Sequence, residues 1–206
     1  GYNAIQKLST VEHDYLTDGF WAKDFSEELP AEGISASFLV RMEDVTEQVL
    51  SVVNDTMTWA ERNAAIAAKS KELELAASED GKYNPIVSAF FEGNEYYMFV
   101  YRVYTDVRLV GTPPSPIGKF GGDTDNWMWP RHTGDFSIFR VYADAEGNPA
   151  PYSPDNKPLT PKHHLPISLD GIQQDDFTMI WGFPGTTERY LTSYGIDYNV
   201  ESFYPT

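Results

Sequence analysis

A chain of 206 residues, 41% hydrophobic and 15% aromatic, is long enough to bury a sizeable core and too apolar to stay disordered. Its formal net charge of −16 argues against nucleic acid or an anionic membrane as a partner, since both call for basic patches. The lack of cysteine excludes disulfides and thiolate metal sites, and no apolar run approaches the ~20 residues of a membrane span.

Taken in order, residues 2–12 are mixed and fit either a strand or a short helix. Glu12-His13-Asp14 sets an imidazole between carboxylates, but neighbours in sequence point apart, and the triplet reads as solvated surface. Asp18 to Trp21 turns into two large aromatics, and Glu27 to Pro30 reads as polar and exposed. Ile34 to Met42 reads as a strand, Ser35 and Ser37 alternating with Ala36 and Phe38. Glu43 to Ser78 is expected to be helical, with Val45, Val49, Leu50 and Val53 on one face. Thr58 and Glu61 make a capping box for a second helix, alanines supply propensity, and Gly81 supplies a stop. The Lys69, Lys71, Glu72, Glu74 cluster reads as a solvated face.

Strand signals resume at Ile86 to Phe91, and Gly93-Asn94 suits a tight two-residue hairpin turn. Tyr96 to Tyr104 is the clearest strand. Tyr97, Phe99, Tyr101 and Val103 fall on one face, and Tyr96, Met98, Val100, Arg102 and Tyr104 on the other. Asp106 to Val110 makes another strand, closed by Pro113-Pro114-Ser115-Pro116. Residues 147–162 read as a surface loop, Phe177 to Trp181 as a short buried strand, and the chain is expected to leave the fold after Thr192.

Between these lies the most informative stretch, Gly118 to Ala143. It passes from a glycine segment through Asp123-Thr124-Asp125-Asn126-Trp127-Met128-Trp129-Pro130-Arg131-His132 to Gly134-Asp135, then into an aromatic and β-branched strand, Phe136 to Tyr142. A carboxylate at the mouth of such a strand, expected to be buried and tucked beneath a cleft, can accept a hydrogen bond from an imidazole and fix its tautomer, as the acid of a catalytic triad does. Many strands begin with Asp, so position alone does not assign the role. Asp123-x-Asp125 lacks the further ligands of a calcium loop and reads as a hydrogen-bonding turn. His163-His164 reads as a surface pair, because adjacent side chains in an extended segment diverge.

This central stretch resembles the bacterial dipeptidyl-peptidases of serine peptidase family 46, the dipeptidyl-peptidase 7 and 11 type. The likeness extends to Gly1-Tyr2-Asn3-Ala4-Ile5-Gln6, Asp18-Gly19-Phe20-Trp21-Ala22, Phe38-Leu39-Val40-Arg41, Gly182-Phe183-Pro184-Gly185 and Tyr194-Gly195-Ile196. The resemblance implies a mainly β fold with an α insertion, part of the N-terminal barrel of a chymotrypsin-like double β-barrel. That barrel would occupy residues 1–195, with a helical pair inserted at about 43–80 and an exit segment at 196–206. It makes Asp135 the triad aspartate, and Asn126 and Trp127 the residues that hold the substrate's free N-terminus; Trp129 is expected to pack.

In the family the triad histidine stands in a His-His-Cys stretch directly followed by Gly-Tyr, so the resemblance places the base just ahead of Gly1. The serine stands in a Gly-Asn-Ser-Gly-Ser-Pro-like motif that nothing here matches, and no G-x-S-x-G is present. The expectation is therefore part of an exported, periplasmic serine dipeptidyl-peptidase that carries one triad member and is inert alone. The implied partner is a peptide with a free N-terminus, with no cofactor and no metal, and the full-length enzyme is expected as a homodimer. Two rival readings are an acidic, aromatic-rich β module that binds glycan or peptide, and a degenerate peptidase homologue.

Overall fold

The computed structural model describes residues 1–119, 122, 124, 128, 133–180 and 190–204. It divides into two compact units, Gly1–Lys162 and His163–Thr206. The first begins with two short helices, α1 (Tyr2–Leu8) and α2 (Tyr15–Asp18), and two-residue strands β1 (Phe20–Trp21) and β2 (Leu29–Pro30). Strand β3 (Ala36–Asp44) leads into helices α3 (Thr46–Leu50) and α4 (Trp59–Ala77), and β4 (Asn84–Phe90) and β5 (Glu95–Tyr104) follow as a hairpin. Then come β6 (Val107–Thr112), a one-turn α5 (Ser115–Gly118), β7 (Ile138–Ala143) and β8 (Lys157–Pro158). All pairings are antiparallel. One sheet has the order β3-β5-β4; in the other, β6 pairs β7 on one side and both β1 and β2 on the other, and β8 pairs β7. The architecture is mainly β with a helical pair inserted between β3 and β4.

The period-two pattern of β5 decides how the first sheet packs. Tyr96, Met98, Val100 and Tyr104 are buried, whereas Tyr97, Phe99, Tyr101 and Val103 are half-exposed. Tyr96, Met98 and Val100 form a core with Val45 and Val49, against which Ile66, Leu73 and Ala77 of α4 pack. At the start of α3 the Thr46 hydroxyl accepts from the Tyr96 N–H at 2.9 Å, which ties helix to strand. The capping box forms: the Glu61 N–H donates to Thr58 Oγ1, and the Thr58 N–H donates to the Glu61 carboxylate at 2.8 Å. Thr58→Ala is therefore expected to cost about 1 kcal/mol in urea unfolding; a loss indistinguishable from zero would mean the cap contributes nothing.

Several expectations are corrected. Helix does not begin at Glu43: β3 runs on to Asp44, held by pairing with Tyr97, and residues 51–58 separate the two helices. The hairpin after Phe90 is a four-residue loop, because Phe90 pairs with Glu95; Phe91, Glu92 and Gly93 all take positive φ. Glu74 is no mere solvated charge, since its carboxylate accepts the Val87 N–H at 2.9 Å and satisfies a backbone group on the edge strand β4. Glu28 is not exposed but 5% accessible, and the loop at 147–162 contains β8 and the buried Asn156.

In the second unit, helix α6 (Ser193–Tyr198) is capped by the Thr192 hydroxyl, which accepts from the Gly195 N–H. The predicted buried strand at Phe177 is not formed. Phe177 is 88% exposed and residues 177–180 pair with no strand among the described residues; Trp181 lies outside them. Apolar residue types favour a strand only where a neighbouring edge completes the ladder.

Candidate active site

Strand β6 ends at Thr112, and Pro113-Pro114 halts the ladder because neither proline can donate. Pro114 caps α5, and the chain returns from the central stretch through Gly134, whose N–H donates to the Ile117 carbonyl at 2.9 Å. That bond sets Asp135 against α5: a Cβ added to Gly118 would sit 3.6 Å from both the Cα and Oδ1 of Asp135. Across from them lie the first turn of α1 and the residue Leu16 of α2. Gly19 lets α2 approach, for its φ is +74° and a Cβ there would sit 2.9 Å from Pro114 Cδ.

The result is a cavity of about 870 Å³, lined at one side by Gly1, Tyr2 and Ile5 and at the other by Gly134, Asp135, Phe136 and Ser137. Asp135 is exposed rather than buried, and it stands on the cavity wall shared with the chain's first residues. Phe136, the next residue along, packs toward Trp21 with ring centroids 6.2 Å apart. Asn126 and Trp127, together with Asp123, Asp125, Trp129 and His132, lie outside the described residues. Glu12, His13, His163 and His164 are exposed, and Asp14 serves α2 as its N-cap, accepting from the Leu16 N–H and the Thr17 hydroxyl. Among the described residues no group of three or more His, Asp and Glu side chains is placed to hold a metal ion.

At the far end of the β6–β7 ladder stands an ionic network that sequence reasoning missed. Arg108 donates twice to the Asp106 carboxylate, at 2.9 and 2.7 Å, and once to the Ser153 carbonyl. Its guanidinium lies 3.6 Å from the Tyr142 ring centroid and 4.9 Å from that of Tyr152. Asn156 donates to the same carboxylate at 2.9 Å. Beside it, Glu28 accepts from Arg140 at 2.8 Å and from the Tyr142 hydroxyl at 2.9 Å. Burial first, and the bond to Glu28 next, push the Tyr142 hydroxyl up to about 12. A readable signal existed: Arg140 and Tyr142 are two residues apart on β7 and share a face, and Asp106, just ahead of β6, is two residues from Arg108.

The chain matches the family model Peptidase S46 across residues 1–206, and it belongs to that family. Dipeptidyl-peptidase 7 of Capnocytophaga gingivalis is 55% identical over 205 residues, covering 100% of this chain and 29% of that protein. An Asp/Glu-specific dipeptidyl-peptidase of Flavobacterium psychrophilum is 52% identical over 196 residues, or 95% of this chain and 28% of that one. The crystal structure of Porphyromonas endodontalis DPP11 superposes with a TM-score of 0.79 at 43% identity, over 98% of this chain and 29% of that chain. Its complex with the dipeptide Arg-Asp gives 0.75 at 45% identity over 84% of this chain and 26% of that one. The chain thus spans less than a third of the length of these relatives.

Proposed function

We propose that this chain supplies the acid of a Ser-His-Asp dipeptidyl-peptidase with a chymotrypsin-like barrel, which releases dipeptides from the free N-terminus of peptides. The observation that carries the reading is that Gly1 and Asp135 line one cavity. In this reading, taken from the family resemblance, the triad histidine would stand directly ahead of Gly1, and its imidazole would enter the cavity whose wall bears the carboxylate. In that arrangement the histidine takes the proton of a serine supplied by another part of the protein, and the serine attacks the carbonyl two residues from the substrate's ammonium group. Asp135 holds the imidazole in the attacking tautomer and stabilises the imidazolium that forms.

Asn126 and Trp127 are assigned to the substrate's free N-terminus, the amide as a hydrogen-bond partner and the indole as a wall that faces the ammonium charge. Closing the pocket there restricts cleavage to the second peptide bond. Asn126→Ala in the full-length protein is expected to raise KM for dipeptidyl substrates about tenfold, the equivalent of one lost hydrogen bond to a charged group, with kcat less affected. An unchanged KM would remove Asn126 from the substrate site. Relatives named for dipeptidyl-peptidase 7 and for Asp/Glu specificity match at 55% and 52% identity. That near-equality supports assigning the shared chemistry to these residues and the side-chain preference to another part of the protein. Export to the periplasm and assembly as a homodimer complete the proposal; fractionation and light scattering of the full-length protein test them.

A further inference from the structure

An antiparallel sheet with one face in water places polar side chains on that face. β5 does not. One of its faces carries Tyr96, Met98 and Val100, packed with residues of α3 and α4. The other carries Tyr97, Phe99 and Tyr101, aromatic to a residue and half-exposed. The flanking strands extend this second face, because side chains directly opposite one another share a side of the sheet. On β3, Leu39 stands opposite Tyr101 and Met42 opposite Phe99; both are exposed, Met42 by 56%. On β4, exposed Ile86 stands opposite Phe99 from the other side. Phe90 leans in from the end of β4, its ring centroid 5.4 Å from that of Tyr97 and 6.1 Å from that of Phe99. Phe99 in turn stacks on Tyr101 at 6.4 Å. A ridge of rings thus crosses three strands, and apolar side chains gathered in this way mark an interaction surface rather than the single apolar residues normal on any protein.

Charge and chain length together select the occupant. Asp44 ends β3 opposite Tyr97, and Glu95 accepts the Tyr97 hydroxyl at 3.1 Å. Arg41 and Arg102 belong by register to the opposite side, so the strand residues of this face include a carboxylate and no cation. A second copy would present the same cation-free face and bring a further net charge of −16. A segment of the same polypeptide faces no such repulsion and docks without the translational and rotational loss of a separate partner. The relatives have chain enough to supply one: the 55%-identical dipeptidyl-peptidase 7 matches over 29% of its length, leaving more than two thirds of it outside the match.

We infer that the Tyr97, Phe99 and Tyr101 face of the β3-β5-β4 sheet is the docking surface for an apolar part of the full-length protein outside residues 1–206. The proposed homodimer then forms through another surface. The inference is independent of Asp135, whose tests read turnover and not contact.

The test is photo-cross-linking in the full-length protein, with p-benzoylphenylalanine in place of Phe99 in one variant and of Tyr101 in another. The expected product keeps the mass of one polypeptide, and its cross-linked peptide maps outside residues 1–206. The same probe in place of Lys71, on the exposed side of α4, should give no such product. A product of doubled mass would hand the face to a second copy and overturn the inference. So would a cross-link that maps within residues 1–206, or none from either variant. Unsubstituted protein supplies a second reading. Dilute peroxide should convert Met42 to its sulfoxide at least about fivefold more slowly than it converts free methionine. Smaller protection would show the face open to water in the full-length protein and would equally overturn the inference.

Discussion

On the proposed triad reading, Asp135→Asn in the full-length protein should lower kcat by about 10⁴ with little change in KM, because the amide would favour the wrong imidazole tautomer and could not stabilise the imidazolium. Asp135→Ala should lose at least as much. Neither change should disturb folding: Asp135 is exposed on the cavity wall, and exposed substitutions away from caps and ion pairs alter stability by about 0.5 kcal/mol or less. The measurement is steady-state kinetics on a dipeptidyl substrate, with thermal unfolding as the control. Parental turnover in a folded Asp135→Asn protein would refute the triad reading. A variant that loses kcat while melting with the parent would place the loss in chemistry, because the cavity wall at Gly118 and Gly134 would still be intact.

Exposure of this carboxylate also shows where sequence reasoning stops. A strand opening after Asp135 was legible from Phe136 to Tyr142, and the ladder begins at Ile138. How deep the carboxylate lies depends instead on Gly118, Gly134 and the arrival of α1, contacts that no local pattern encodes. β5 was readable face by face because a helical pair covers one side only, which enforces alternation. Glu28 was misread for the opposite reason. Its partners Arg140 and Tyr142 lie 112 and 114 residues away, and without them a glutamate is rightly expected in water. Gly93-Asn94 carried the signature of a tight turn, yet Phe90 pairing with Glu95 fixed a longer loop. The odd composition of Gly118 to Ala143 identified the family, while the positions of Asn126 and Trp127 fall outside the described residues.

The largest effect on stability is expected at the other end of the same strand pair. Asp106 is 1% exposed, and its carboxylate is the common acceptor for Arg108 and Asn156. Asp106→Ala would leave a buried guanidinium without its counter-charge, and should cost about 3–5 kcal/mol in urea unfolding. The double variant Asp106→Ala with Arg108→Met should recover part of that loss, since removing both charges is less costly than stranding one. Burial by itself raises the Asp106 pKa, but the hydrogen bonds from Arg108 and Asn156 and the charge of Arg108 outweigh it, so the net displacement is downward. A carboxyl with a lower pKa folded than unfolded stabilises the protein above its unfolded value, about 3.9, and that contribution is lost as pH falls through the folded value. The parent should therefore lose stability on acidification below about pH 4, and Asp106→Ala should lack that part of the dependence. The register Val107 to Val141 and Gly111 to Ile138 links this network to the cavity, ~15 Å along the ladder at the usual rise per residue. Pinning one end of the pair therefore holds the other, where Asp135 enters. A loss below about 1 kcal/mol in Asp106→Ala would mean that water reaches the guanidinium, and the network could not then be the anchor of that ladder.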